Sequence, residues 1–553
     1  MRGINERYVD ETYDEKGLLV KYTLKYPDNF NFGYDIVDDI AINDPQRLAM
    51  IWTNPAGEER RYTFADIKRL SDKTANYLMS LGIGKGDMVL TILKRHYQFW
   101  YVSVALHKIG AVMVPATFML TKGDIEYRVR SASIKAIICT DENGVCESTD
   151  EATDIPSLET KIVVNHPREG WHFFDEEMEK ASEKLDRIQT NVKEPLLMYF
   201  SSGTSGYPKM VLHDHLYSLG HLSTAKHWQN VDPEGIHLTI ADTGWGKAVW
   251  GKLYGQWMME AAVFVYDYEK FEPHEIMNIV EKYRITSLCC PPTMFRMFIN
   301  AGLEGHDLSS LKYCCIAGEA LNPDVFYNWK QATGISLMEG FGQTETTCTV
   351  CNIKGMVPKP SSMGKPSPQY NVKIVDRDGA DCPPGQTGEI VIACDPKPPG
   401  LMMCYYRNEE KTREAMHDGW YHTGDEAWMD EDGYYWYVGR IDDVIKSSGY
   451  KISPFEIESV LVTHPAVLEC AVTGVPDPVR GQLVKATVVL RDGYEPSEAL
   501  MKELQNFVKH ETAPYKYPRA MEFVKELPKT TNGKIKRVEI RNKDKKKAED
   551  GML

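Results

Sequence analysis

The chain has 553 residues, 42% hydrophobic and 26% charged, with a formal net charge of −15. At roughly 100–200 residues per domain, that length predicts about three to five structural units with ample core. The acidic balance excludes a general nucleic-acid-binding surface, since basic residues gather only near the end, where Lys543, Lys545, Lys546 and Lys547 read as a frayed, solvated tail.

Met1 to Lys16 is polar and acidic, without the apolar core of a secretory signal. The most apolar region, Phe99 to Leu120, is interrupted by His107 and Lys108, which favours a buried helix and strand over a membrane span. The expected location is cytoplasmic, with no membrane partner. The twelve cysteines then read as reduced, buried small hydrophobes. Cys348 and Cys351 form a C-x-x-C, but no second pair or histidine at zinc spacing accompanies them.

In chain order, Phe32 to Ile42 reads as one helix, and a longer helix is expected from Arg61 to Leu81, entered through Thr63 and Asp66 and stopped by Gly82 and Gly84. Val89 to Leu93 reads as a buried strand, Phe99 to Gly110 as a helix and Val112 to Val114 as a strand. The alternation repeats at Ala136 to Cys139 and Lys161 to Val164, the βαβ rhythm of a mostly parallel sheet. Leu196 to Phe200 ends a further strand, and a helical pattern starts at His213, Asp214 and His215. A second block places strands at His237 to Ala241, Ala262 to Tyr266, Ser287 to Cys290, Tyr313 to Ala317 and Ile335 to Glu339. From Val372 short strands are broken by Asp-Gly and Pro-Gly turns. After Arg440 helices and strands alternate again, with helices at Pro454 to Thr463 and Glu498 to Glu511. The expected architecture is α/β: a large N-terminal domain of βαβ-type sheets over residues 1–440, with a β-rich subdomain from about 365 to 440, and a small mobile α+β domain over residues 441–553.

Between the strand ending at Phe200 and the helical pattern after His213 lies Ser201-Ser202-Gly203-Thr204-Ser205-Gly206-Tyr207-Pro208-Lys209. Two glycines permit tight turns, and four hydroxyls with a lysine supply donors for anionic oxygens, a composition suited to a polyphosphate. The spacing differs from that of the Walker P-loop, and from the loop alone a Ser/Gly surface linker stays open. Further polar motifs stand at expected strand ends: Gly318-Glu319-Ala320-Leu321, Glu339-Gly340-Phe341-Gly342-Gln343-Thr344-Glu345, and His422-Thr423-Gly424-Asp425. Glu345 beside Thr344 can hold Mg2+ against a phosphate, and Asp425 can accept ribose hydroxyls. A capping threonine or a turn aspartate explains each motif equally well when taken singly.

Taken together, these motifs in this order, with Gly439 to Lys451 and Pro528 to Lys534, resemble the adenylate-forming superfamily of acyl-CoA synthetases, adenylation domains and luciferases, over nearly the whole chain. Asp242 to Trp245, Ser447 to Tyr450, Pro476 to Gly481 and Ala513 to Pro518 look most like medium-chain acyl-CoA synthetases. The resemblance implies ATP, Mg2+ and coenzyme A as cofactors and two half-reactions: an acid attacks the α-phosphate of ATP to give an acyl-adenylate, and the CoA thiol then displaces AMP. It implies that the Ser201–Lys209 loop holds the outer phosphates and that Gly318, Glu319 and Ala320 line adenine beside Phe341. By the same resemblance, Glu339, Gly340, Gly342 and Gln343 would complete the nucleotide site. Thr344 would touch the α-phosphate, Glu345 the magnesium, and Asp425 the ribose near Arg440. Lys534 would bridge carboxylate and phosphate during adenylation. The C-terminal domain would turn about a hinge at Asp442 and present Ser448, Gly449 and Tyr450 to the pantetheine arm. Lys451 stands where acetate-activating relatives carry an arginine, so it keeps the charge for a phosphate but loses the bidentate fork.

By the same resemblance, Gly342 replaces a tryptophan that closes the acyl pocket of acetate-activating relatives, and opens space for larger acids. Lys247, Trp250, Tyr254 and Trp257 fall at spacings that share one helix face. Trp245, Lys247, Trp250 and Cys289, with Trp228 as a weaker candidate, would shape the acid site. Short branched or medium acids are expected, with aromatic acids such as benzoate as an alternative. Carrier-protein loading is a second alternative, disfavoured because no carrier module follows Leu553. A nucleotide sensor that lacks ligase chemistry is a third, and Lys534, Glu345 and Asp425 together argue against it. Partners are thus a small carboxylic acid, ATP and CoA, with self-association into a homo-oligomer left open.

Overall fold

A computed structural model describes residues 3–201, 208–319, 321–448, 450–529 and 535–549, apart from the side chains of residues 451, 548 and 549. They form two compact units, Met1–Val372 with Ala393–Tyr421, and Lys373–Ile392 with His422–Leu553.

The first unit opens with a hairpin of β1 (Val9–Tyr13) and β2 (Leu19–Leu24), followed by β3 (Leu48–Thr53) and β4 (Glu59–Thr63). The helix expected from Arg61 starts later, as α1 (Phe64–Ser80), because Arg61 pairs with Ile51 as a strand residue. Thr63 forms the cap: its hydroxyl accepts from the Asp66 N–H at 3.2 Å while Asp66 accepts from the Thr63 N–H at 3.0 Å. The expected helix of residues 32–42 is a π-helical turn, Gly33–Asp38, running into Asp39–Asn43.

A first sheet contains β5 (Met88–Ile92), β6 (Val112–Pro115), β7 (Ala136–Cys139), β8 (Thr160–Val163), β9 (His172–Phe173), β10 (Pro195–Ser201) and β11 (Lys209–Asp214). Its order is β11-β10-β6-β5-β7-β8-β9, with the short strand Cys404–Tyr405 beyond β11. Strands β5 to β8 are parallel and buried along nearly their whole length, which is why they read as unbroken apolar runs rather than alternating ones. Helix α2 (Gln98–Ile109) is buried on all sides, including Lys108. Its ammonium is matched by Asp38 and Asp72, both at 2.6 Å, so the charge in this apolar stretch is paired inside the core.

A second sheet contains β12 (Ile236–Thr239), β13 (Ala262–Tyr266), β14 (Ser287–Cys290), β15 (Tyr313–Ile316), β16 (Leu337–Phe341), β17 (Val350–Cys351) and β18 (Ser362–Pro366). Within the first unit its order is β18-β17-β16-β15-β14-β12-β13-β3-β4. Strands β3 and β12 to β16 run parallel, so their carboxyl ends share one edge, where ligands of such sheets bind.

The second unit holds β19 (Val372–Val375), β20 (Gly388–Ala393), β21 (Trp420–Met429) and β22 (Tyr435–Arg440), side by side in that order, except that Val372, Ala393, Trp420 and Tyr421 at the strand ends belong to the first unit. After them come β23 (Ile445–Ser447), β24 (Tyr450–Ile452), β25 (Val467–Asp477), β26 (Gly481–Leu490) and β27 (Ala520–Phe523), in the order β24-β23-β26-β25 with β27 on β26. Of the expected β-rich segment, residues 373–392 and 422–440 thus belong to one compact unit with the C-terminal residues, whereas residues 393–421 belong to the first unit.

Three local expectations change. The serine-rich loop does not run from strand to helix: β10 and β11 are antiparallel, with Ser201 opposite Lys209, and the helix α3 (Leu216–Ser223) begins only after His213 and Asp214 have been used in β11. The aromatic stripe does not lie on one helix. It is split at Leu253 (φ −146°) into α4 (Gly246–Lys252) and α5 (Tyr254–Met258), so the regular spacing breaks between Trp250 and Trp257. Finally, the lysine-rich end is helical rather than frayed. After α6 (Glu498–Glu511), α7 (Arg537–Glu549) packs on β25, and Asp544, 1% exposed, pairs with buried Lys485 at 2.5 Å.

Candidate active site

Two of the nucleotide motifs stand at the carboxyl edge of the second sheet. Gly318 and Glu319 follow β15, and Glu339, Gly340 and Phe341 are the last residues of β16 itself rather than a loop after it. Glu339 is 4% exposed; one carboxyl oxygen accepts from the Leu321 N–H at 3.4 Å, and the other has no hydrogen-bond partner among the described residues. Burial pushes this carboxyl up to about 8, so it is protonated at neutral pH. The Glu319 carboxylate accepts from the Thr293 hydroxyl at 2.8 Å.

The chain then turns through Gly342 to Glu345. The Gln343 side-chain oxygen accepts from the Tyr421 hydroxyl at 2.6 Å, and the Gln343 backbone N–H donates to the Thr346 hydroxyl at 2.9 Å. His213, on β11, lies 2.8 Å from the Thr344 carbonyl through Nε2. Burial lowers this imidazole to about 3, so it is neutral and Nε2–H is the donor. The Glu345 carboxylate accepts from the Tyr405 hydroxyl at 2.9 Å, and the Lys209 ammonium sits 5.0 Å from the centre of the Tyr405 ring. The end of the serine-rich hairpin and the Thr344–Glu345 corner are therefore joined through His213 and Tyr405. Sequence reasoning misses both: Tyr405 stands on a two-residue edge strand outside any motif, and His213 reads as a helix start. Ser202, Gly203, Thr204, Ser205, Gly206 and Ala320 lie outside the described residues.

Of the residues expected on the acid side, Trp250 packs beside this corner. A Cβ built on Gly342 would meet the Trp250 ring at 2.4 Å and the Thr347 carbonyl oxygen at 2.3 Å. Contrary to the expectation from sequence, Gly342 therefore does not open space; its glycine leaves room that Trp250 already fills. Trp250 is held by its indole N–H, which donates to the Tyr217 hydroxyl at 3.1 Å. Trp228 acts likewise at Gly340, where a Cβ would meet its ring at 2.5 Å, and its indole donates to the Met338 carbonyl at 3.1 Å. The Lys247 ammonium donates to the Ala317 carbonyl at 2.9 Å, just before Gly318. Trp245 is half-buried, and its buried indole N–H has no partner among the described residues. Cys289 is buried in β14, and burial pushes its thiol up.

In the second unit, His422 to Asp425 lie within β21 rather than after a strand. The Asp425 carboxylate, 3% exposed, accepts from the Tyr437 hydroxyl at 2.9 Å and from Arg440 at 3.3 Å, and Arg440 also donates to the Thr423 carbonyl at 2.9 Å. Asp425 is thus embedded in a network rather than isolated. Asp442 is exposed, and its neighbour Asp443 forms an ion pair with Arg541 of α7. The exposed Tyr450 ring stacks on Tyr515 with centroids 4.2 Å apart, and Arg480 donates to the Ser448 hydroxyl at 3.2 Å. Gly449 and Lys534 lie outside the described residues, as does the side chain of Lys451. Among the described residues no cluster of three or more histidine, cysteine or acidic side chains could hold a metal, all twelve cysteines are free, and no helix is long and apolar enough to cross a membrane.

Comparison with known proteins agrees with this geometry. The family model of the AMP-binding enzymes matches residues 37–406, and that of the AMP-binding enzyme C-terminal domain matches residues 456–534. The chain is 43% identical over 535 residues to acyl-coenzyme A synthetase ACSM3, mitochondrial, of Pongo abelii, covering 95% of this chain and 91% of that protein. It is 42% identical over 530 residues to human acyl-coenzyme A synthetase ACSM5, mitochondrial, covering 94% and 91%. Among solved structures, the anthranilate CoA ligase AuaEII in complex with anthranoyl-AMP is similar with a TM-score of 0.85 and 30% identity, over 95% of this chain and 99% of that one. The chain belongs to the AMP-binding enzyme family and is an AMP-forming acid–thiol ligase, an acyl-CoA synthetase that uses ATP, Mg2+ and coenzyme A.

Proposed function

We propose that the acid is a short branched or medium-chain carboxylic acid. The observation that carries this reading is the Trp250 ring lodged against Gly342, which walls off the space that a long straight acyl chain would need. Trp245 offers an indole N–H with no partner among the described residues and Lys247 an ammonium held at the Ala317 carbonyl, and Cys289 and Trp228 are buried in the same hydrophobic cluster as Trp250. The resemblance to an anthranilate CoA ligase favours a second reading, an aromatic acid held flat between these rings.

The residue roles follow from charge. Joining a carboxylate to a triphosphate brings two anions together, so cations and oriented donors must offset their repulsion. Lys209 and the hairpin hydroxyls take the outer phosphates, Thr344 the α-phosphate, and Glu339, Gly318 and Phe341 the adenine edge. Asp425 takes the ribose hydroxyls and Lys534 bridges the reacting groups, with Asp442 as the hinge residue. Glu345 suits Mg2+, which is commonly held by one or two carboxylates plus substrate phosphates. The ion supplies charge neutralisation at the phosphoryl oxygens. Tyr405 fixes the Glu345 carboxylate beside it. Tyr450, Tyr515 and Arg480 present an aromatic face and a cation suited to the nucleotide end of coenzyme A.

The test is ATP–pyrophosphate exchange over a panel of straight, branched and aromatic acids, followed by CoA thioester formation with the best of them. Strongest exchange with straight acids of twelve or more carbons would overturn the reading.

A further inference from the structure

A cavity of about 570 Å3 opens at the opposite edge of the second sheet. Its polar lining comes from residues just before the parallel strands: Asp232 ahead of β12, Thr286 ahead of β14 and Lys312 ahead of β15. The Gly318 and Glu339–Glu345 motifs lie at the carboxyl ends of β15 and β16, so the cavity is separate from them. Its size is that of a small-molecule site. The N-terminal hairpin supplies one wall through Tyr13 and Leu19, and Met259 adds to the apolar surface.

The charge of this cavity runs against that of the chain. Lys226, His227, Lys312 and Lys354 face two carboxylates, Glu11 and Asp232, on a protein of net charge −15. Lys226 pairs with Glu11 at 2.9 Å, His227 lies 2.8 Å from the same carboxylate, and Lys312 pairs with Asp232 at 3.0 Å. Burial alone would raise the Glu11 carboxyl, but the hydrogen bonds from His227 and Lys226 hold it down at about 2. Lys354 is close enough to help hold the Asp232 carboxyl down but makes no ion pair within 4 Å among the described residues, and its backbone N–H donates to the His227 carbonyl at 2.9 Å, which ties its loop to the same turn. The cavity therefore presents surplus positive charge above an apolar wall.

Lys226 and His227 belong to a π-helical turn, Thr224–Trp228, a distortion that recurs at functional positions. The next residue, Trp228, packs on Gly340 and donates to the Met338 carbonyl of β16, while its own carbonyl accepts from the Cys315 thiol. One turn of chain thus has its cations in the cavity and its indole against the strand that carries the nucleotide motif.

We propose that this cavity binds a phosphomonoester with an apolar body, and that its occupancy acts through the Thr224–Trp228 turn on the affinity for the acid. The phosphate would engage Lys312 and Lys354, with Lys226 and His227 behind it, while the apolar body would lie against Tyr13, Leu19 and Met259. The coupling rests on the acyl-site reading of Trp228, whereas the binding does not, so the two are measured separately.

The experiment uses phenyl phosphate and inorganic phosphate as probes, titrated calorimetrically into the full chain saturated with a non-hydrolysable ATP analogue. One phenyl phosphate is expected to bind per chain, at least tenfold more tightly than inorganic phosphate. Lys312→Glu and Lys354→Glu should each weaken it at least tenfold, about 1.4 kcal/mol, because each removes a cation from the phosphate and puts a like charge in its place. Melting temperature and exchange activity without the probe should stay at wild-type values in both variants. Phenyl phosphate should also shift the KM for the acid in the wild type and not in Lys312→Glu. Absence of saturable binding, undiminished binding in both variants, or competition with the ATP analogue would overturn the site. Binding with an unchanged KM would overturn the coupling alone.

Discussion

Replacing Trp250 with alanine should lengthen the preferred acid. The ring lies where a side chain at position 342 would project, 2.4 Å from the ideal Cβ, so its removal joins that space to the acyl pocket. Each methylene newly accommodated is worth about 0.8 kcal/mol, roughly fourfold in kcat/KM, and three would give roughly fiftyfold in favour of the longer chain. The substitution also deletes a buried indole and its bond to Tyr217, at a cost of about 3–5 kcal/mol in stability. Trp250→Leu, which keeps some of the volume, therefore serves as a companion variant that should show a smaller shift in the same direction. The assay is pyrophosphate exchange with straight acids from four to twelve carbons, at a temperature where both variants remain folded. A chain-length profile that is unchanged in two exchange-competent variants would refute the argument that Trp250 is the wall.

Gly342→Trp should abolish exchange with every acid, since the new side chain meets backbone at Thr347 as well as the Trp250 ring; retained activity with a simple shift toward acetate would show that the segment yields more than its packing implies. His213→Phe keeps a ring stacked on Tyr217 but loses the donor to Thr344, and kcat for adenylation should fall up to about tenfold with little change in the KM for ATP. His213→Gln, which can donate again, should recover some of the loss, and equal losses in both would make the role one of packing. Glu339 holds a proton in the native state that the unfolded chain releases above its ordinary range. Its contribution to stability is therefore complete below about 4.5 and is lost as pH rises through about 8. Denaturant unfolding at pH 5 to 8 should show wild type losing up to about 1.4 kcal/mol per pH unit relative to Glu339→Gln; parallel curves would contradict this. Lys534→Gln should suppress acyl-adenylate formation roughly 100- to 1000-fold while sparing thioester formation from a preformed adenylate, and equal loss in both steps would remove Lys534 from its proposed role.

The parallel core was legible because strands buried on both faces are continuous apolar runs: Ala136–Cys139 and Ala262–Tyr266 fall where the residue pattern puts them. Turn chemistry was legible at Thr63, though not the strand that runs directly into it, because a polar edge strand such as Glu59–Thr63 carries no apolar signature. The same reasoning failed at β11. His213, Asp214 and His215 look like a helix start, but strand pairing with β10 overrides local preference, and that pairing is non-local information. The split at Leu253 was hidden because spacing alone cannot show a break when the residues on both sides are helix formers. Motif residues could be named from sequence, but their supports, His213 behind Thr344 and Tyr405 behind Glu345, come from distant segments without a motif of their own. Gly342 shows the converse limit: a glycine can mark room that another residue occupies as readily as room left empty.

The lysine-rich end of the chain has a consequence for how the protein tolerates shortening. Asp544 is the innermost partner of Lys485, a strand lysine 1% exposed that also pairs with Glu522 at 2.6 Å, and Arg537 and Arg541 on the same helix reach Glu458 and Asp443. Cutting the chain after Lys543 would strand a buried ammonium with one carboxylate, and breaking such a pair costs about 3–5 kcal/mol, a large share of what a small unit has in reserve. Segments that look expendable by composition thus belong to the unit's interior, and proteolytic trimming at this end would be felt first as unfolding of the smaller unit and only then as lost catalysis.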